Sequence, residues 1–120
     1  MQQCSTFGPH IRALREAKAK RDPAFSLRQL SVRCGVTPSY LSRLERDDVA
    51  PPGEEVLRRL AGELDQDVDV MLAMGGKIST DLRKAILARP QLFADVIRTL
   101  RDMPQEAVLR LVREVRDGDW

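Results

Sequence analysis

The chain has 120 residues, 42% of them hydrophobic and only 4% aromatic, which suits one compact helical domain, or a small domain with a helical appendage, better than sheets. Net charge is +2 but segregated. Residues 1–46 carry nine Lys/Arg against three Asp/Glu, residues 47–75 two against eight, and residues 76–120 nine against seven. No run approaches the roughly 18 consecutive apolar residues of a membrane span, and no basic patch leads into an apolar stretch at the N-terminus, so a cytoplasmic chain with no membrane partner is expected.

The first predicted helix covers Pro9 to Lys20, with Ile11 and Leu14 on its apolar face and Arg12 and Arg15 on the other; Asp22-Pro23 breaks it. Leu27, Leu30 and Cys34 recur at helical spacing and predict a second helix, Leu27–Cys34. Gly35 stops it where a left-handed backbone is needed, and Val36 plugs the turn. Thr37 supplies a cap and Pro38 fits the first position of a third helix, Pro38–Glu45. Leu41 and Leu44 continue the apolar stripe, whereas Thr37, Ser39, Ser42 and Arg43 point elsewhere. A helix that begins at a sharp turn, buries a narrow stripe and displays small polar groups beside an arginine suits a DNA major groove. An ordinary helical hairpin would share the turn but not the flanks.

After the turn Arg46–Pro52, a fourth helix runs from about Gly53 to Leu64, with Glu54 and Glu55 at its positive end. A short fifth, Val68–Ala73, stops at Gly75-Gly76. Beyond it, Ser79-Thr80-Asp81 opens a helix through Leu82, Ile86 and Leu87. Pro90 to Met103 carries Phe93, Val96, Ile97 and Leu100 on one stripe. Pro104 opens a last run with Val108, Leu111, Val112 and Val115. These three helices span about 40 residues, too few for a robust core of their own. Their stripes must cover the first domain, one another or a second subunit. Trp120, the only tryptophan, ends the chain.

Raw material for catalysis is missing. The single histidine, His10, has no second imidazole near it, and Cys4 and Cys34 form no metal motif. Cys34 suits a packed free thiol. Gly75-Gly76-Lys77 lacks the spacing of a phosphate loop. Asp65, Asp67 and Asp69 alternate without the terminal glutamate of a calcium loop, and helix capping accounts for them. No enzyme activity, cofactor or metal is expected.

Residues 7–74 resemble the Xre/Cro-like helix-turn-helix repressors. The pattern is carried by Ile11-Arg12-x-Leu14-Arg15, Ser26-Leu27-Arg28-Gln29-Leu30, Gly35-Val36-Thr37-Pro38-Ser39-Tyr40-Leu41-Ser42-Arg43-Leu44-Glu45, Pro51-Pro52 and Leu57-x-x-Leu60-Ala61-x-x-Leu64. Two departures stand out: a long Ala17–Phe25 segment bearing Lys18, Lys20 and Arg21, and Asp47-Asp48 where such proteins commonly have a glycine. The resemblance implies an all-α fold, with a five-helix repressor-like DNA-binding domain at 7–75 and a helical extension at 76–120. It implies a transcriptional regulator, expected to be a repressor, that binds a double-stranded operator of two half-sites as a homodimer. Thr37, Ser39, Ser42 and Arg43 would read bases. Lys18, Lys20, Arg21, Arg28, Gln29, Tyr40 and Arg46 would meet the DNA backbone, and Arg15 and Glu45 would form a structural ion pair. The C-terminal stripes would form the dimer contact or dock a protein partner. The alternative is an antitoxin whose C-terminal helices hold a toxin; in some similar repressors a partner peptidase cuts the extension.

Overall fold

The computed structural model describes residues 7–118, so Cys4 and Trp120 lie outside the described residues. All regular structure among them is helical: α1 Phe7–Ala19, a 3-10 turn Pro23–Phe25, α2 Leu27–Cys34, α3 Pro38–Glu45, α4 Glu54–Glu63, α5 Val68–Met74, α6 Thr80–Ala88, α7 Pro90–Arg101 and α8 Gln105–Asp117. The chain forms two units that part between Ser79 and Thr80. Residues 76–79 thus go with the first unit, where the Lys77 amide donates to the Leu72 carbonyl at 2.8 Å and Ser79 is buried.

In the first unit α1 packs on α3, α2 on α3 and α4, and α4 on α5. The core between them holds Phe7, Ile11, Phe25, Leu30, Cys34, Leu41, Leu44, Leu57, Leu60, Ala61, Leu64, Met71 and Leu72. Cys34 is fully buried, and desolvation pushes its thiol up to about 11. It stays a neutral packing group at physiological pH.

α1 begins two residues earlier than its sequence pattern suggests, because Phe7 belongs to the core and the Gly8 amide has a partner. The Asp47 carboxylate, just beyond α3, accepts a hydrogen bond from Gly8 N–H at 2.8 Å. Asp47 adopts a left-handed backbone, φ 60°, and so fills the place where a glycine is usual; aspartate is among the few side chains that tolerate it. Gly8 also has no room for a side chain. A Cβ there would run into the Leu44 carbonyl oxygen and lie 2.9 Å from that of Glu45, both backbone atoms that cannot swing aside. Gly8→Ala should therefore cost about 3 kcal/mol, the upper end for overpacking. Urea denaturation with an unchanged midpoint would show that α1 can shift to accept the methyl group.

The long segment after α1 is built around Phe25. Asp22 caps the 3-10 turn, its carboxylate accepting from Ala24 N–H at 2.9 Å. The turn drives the Phe25 ring into the core with Lys18 Nζ 4.2 Å and the Arg33 guanidinium 4.7 Å from its centroid. Each cation–π contact contributes about 0.5–2 kcal/mol. The extra length is an anchored element.

Candidate nucleic-acid interface

Local chemistry shapes the α2–turn–α3 motif. Ser26 caps α2, its Oγ accepting from Gln29 N–H at 3.2 Å. Gly35, at φ 72°, ends α2, and the Val36 amide donates back to the Ser31 carbonyl at 2.9 Å, the closure that a left-handed glycine permits. Arg59 Nη1 also donates to the Cys34 carbonyl at 3.3 Å, which satisfies one of the acceptors at the helix end. Thr37 Oγ1 then accepts from Tyr40 N–H at 3.0 Å and starts α3.

Leu41 and Leu44 of α3 are buried, Thr37, Ser39 and Arg43 are exposed, and Tyr40 and Ser42 are half-buried. Tyr40 packs against the core, and burial raises its phenol pKa. It is a hydrogen-bond donor at neutral pH. The outward side of α3 therefore carries two hydroxyls and a guanidinium, a set that can donate to or accept from base edges.

The basic side chains divide into two groups. Arg15 is only 11% exposed and binds Glu45, 4% exposed, in bidentate fashion: Nε to Oε2 at 2.7 Å and Nη2 to Oε1 at 3.0 Å. Arg15 thus turns inward, not to the outer face of α1 with Arg12, and the hydrogen bond to Glu45 raises its pKa. Lys18 Nζ donates to the Glu63 carbonyl at 2.6 Å and pairs with Asp65 at 2.8 Å, which commits it to the end of α4. Arg46 donates from Nε to Asp48 at 3.1 Å. Lys20, Arg21, Arg28 and Arg43, by contrast, are exposed and make no side-chain ion pair among the described residues. Gln29 is exposed beside Arg28.

Three features escaped sequence reasoning. Ser31 is fully buried, its hydroxyl donating to the Arg28 carbonyl at 2.6 Å, the back-bonding that lets a serine sit inside a helix. Arg33 bridges the Ala24 carbonyl at 3.3 Å and Glu63 at 3.2 Å. Arg12 lines an open cleft of about 280 Å³ together with Arg15, Leu27, Ser42, Glu45 and Arg46. Its position on α1 was legible from helical spacing, but its neighbours across the cleft are tertiary.

In the second unit no described residue is buried. Phe93, Val96, Ile97, Leu111, Val112 and Val115 remain 36–53% exposed. Leu100 and Val108 are half-buried, while Leu92 and Leu109, outside the predicted stripes, join the exposed set. Val96, Leu100 and Leu111 border a shallow hollow of about 210 Å³ between α7 and α8.

Among the described residues no helix is long and apolar enough to cross a membrane, and no group of three or more His, Cys, Asp or Glu is placed to hold a metal ion. No curated protein and no solved structure matches the chain. A family model described as a helix-turn-helix domain matches residues 6–71, over half the length, and takes in α1 to α4, the α2–turn–α3 motif included. With that motif capped and closed as above, the chain belongs to the helix-turn-helix domain family.

Proposed function

We propose that the protein is a sequence-specific transcriptional regulator, a repressor of the Xre/Cro-like type, that binds a two-half-site double-stranded DNA operator as a homodimer. The observation that carries this reading is α3 itself: its apolar stripe is buried while Thr37, Ser39 and Arg43 face outward, on the basic half of the chain. Thr37, Ser39, Ser42 and Arg43 read bases, Arg43 as a bidentate donor to a guanine. Lys20, Arg21, Arg28 and Gln29 meet phosphates, with Tyr40 and Arg46 at the margin. Lys18 is left out of this set, because its ammonium is already held by Glu63 and Asp65. The protein acts without cofactor or catalysis.

Arg43→Ala should lose about 1–3 kcal/mol on the cognate operator and relax preference at one base pair. Gel shifts over an operator series check this. Equal loss on operator and random DNA would make Arg43 a phosphate contact.

The dimer rests on the second unit. Eight large apolar side chains of α7 and α8 lie about half exposed, leaving on the order of 600 Å² of apolar surface, most of the roughly 800 Å² that a standard interface takes from each partner. Monomeric proteins seldom expose so much in one small unit. A second copy satisfies the face and also places two α3 helices on two half-sites. The same face favours one other reading, an antitoxin whose α7 and α8 hold a toxin.

A further inference from the structure

The helices of the second unit have 9, 12 and 13 residues, and none of the unit's described residues is buried. Helices this short are marginal in water on their own. A unit of about 40 residues with no interior cannot offset the entropy of ordering its chain. Its apolar side chains are present but face outward. Between α7 and α8, Val96, Leu100 and Leu111 border a hollow of about 210 Å³, with Asp95 and Thr99 completing its wall. The hollow has room for one bulky side chain. Phe93, the single aromatic among the unit's described residues, lies one turn before Val96 and Ile97 on the same side of α7 and is 36% exposed. One face thus carries both a socket and a knob. Charges beside it are matched locally: Arg98 pairs with Asp95 at 3.3 Å and Arg101 with Asp102 at 3.4 Å. Over residues 80–118, eight Lys/Arg stand against six Asp/Glu, so the unit presents no strong single-sign field to a charged partner.

We propose that this unit is completed by a second copy of itself. The α7 and α8 helices of two chains fold together into one shared core, each Phe93 entering the hollow of the opposite copy, and in a lone chain they are unordered. The inference rests on the homodimer reading and deepens it, because the dimer contact becomes the folding step of the unit. Two-fold pairing makes every contact twice, so a face with both knob and socket closes on itself. Its exposed apolar area approaches the roughly 800 Å² that a standard interface takes from each partner. Each copy gains its interior only from the other, and order in α7 and α8 therefore depends on protomer concentration. Ordering consumes part of the contact energy, which keeps assembly reversible. The linkage of two α3 helices follows the same concentration dependence, and operator occupancy rises more steeply with protein concentration than a preformed dimer would allow.

The test follows backbone amide exchange and sedimentation of full-length protein from nanomolar to tens of micromolar. Amides of α7 and α8 should exchange as in an unfolded chain where the protein is monomeric, and gain protection in step with the dimer. Core amides of α1 and α4 should stay protected throughout. Phe93→Ala should raise the concentration of half-assembly about 30-fold or more, the effect of losing a hot spot, and protection should return on further concentration. That return separates a contact between copies from a residue that only packs within its own chain. If the wild type stays dimeric at the lowest concentration, Phe93→Ala brings the monomer into range. Protected α7 and α8 amides in the dilute monomer would overturn the coupling and leave the homodimer standing. An unchanged assembly midpoint in Phe93→Ala would overturn the knob-and-socket pairing, and a wild type monomeric at every concentration would overturn the whole proposal with the homodimer. A chain that dimerises and folds in this way yet binds no duplex would defeat the DNA-binding reading alone.

Discussion

Glu45→Ala should lower the unfolding temperature of the first unit by on the order of 15 °C. The carboxylate is 4% exposed and accepts two hydrogen bonds from Arg15, itself 11% exposed. Deleting it leaves a mostly buried guanidinium without its bidentate acceptor, with only the charge of Glu16, to which it is not bonded, nearby. Breaking such a pair costs about 3 kcal/mol or more, and each kcal/mol moves the midpoint of a domain this size by roughly 4–8 °C. Circular dichroism melts give the number directly. The companion variant Arg15→Met with Glu45→Leu should recover most of the loss, because a buried pair gains little over apolar side chains of like volume. A Glu45→Ala protein that melts at the wild-type midpoint, with only its DNA preference altered, would make Glu45 a base reader and not a scaffold group.

The second large effect concerns assembly. A chain ending at Ser79 should fold, since the thirteen buried hydrophobics among the described residues lie between Phe7 and Leu72, and it should sediment as a monomer. Its affinity for the operator should fall at least about a hundredfold, because a linked second half-site adds roughly 10²–10⁴ in avidity without any new contact. Full-length protein should sediment as a dimer at micromolar concentration. A monomeric full-length chain whose truncated form binds operator equally well would reverse the reading. α7 and α8 would then be a docking surface for another protein, and the antitoxin alternative would lead.

Elements whose boundaries depend on local chemistry were legible to the residue. α2 and α3 begin and end where the sequence places them, because Ser26, Gly35, Thr37 and Pro38 act on backbone groups within four positions of themselves. α7 likewise opens at Pro90. The start of α1 was not read from the apolar spacing, which begins at Ile11: Phe7 joins by burial in the core, and the Gly8 amide finds its acceptor in Asp47, 39 residues away. Charge alone could not sort the lysines and arginines. Lys18 and Lys20 look alike in sequence, yet only Lys18 meets the end of α4. The Ala17–Phe25 segment reads as a basic loop until the Phe25 ring is seen buried against two cations. The apolar stripes of α7 and α8 were legible as stripes, whereas Leu92 and Leu109 are exposed apolar side chains outside them.

Asp47 and Asp65 are the two non-glycine residues with positive φ, at 60° and 59°, among the described residues. Each follows a helix, α3 or α4, and each reaches α1: Asp47 takes the Gly8 amide near one end and Asp65 takes the Lys18 ammonium near the other. A glycine at either turn would relax the backbone but would have no carboxylate to send across. Gly8 and Lys18 stand ten positions apart, about 15 Å along a helix, so α1 behaves as a gauge block held between two jaws. Adding or removing one residue inside it turns one end through about 100° and shifts it by about 1.5 Å, and the two jaws can no longer close together. Drift in the outward side chains of α1 is tolerable, while drift in its length is not. A residue inserted between Gly8 and Lys18 therefore sets the Asp47 contact against the Asp65 contact, and the exposed Asp65 pair is the one to give way.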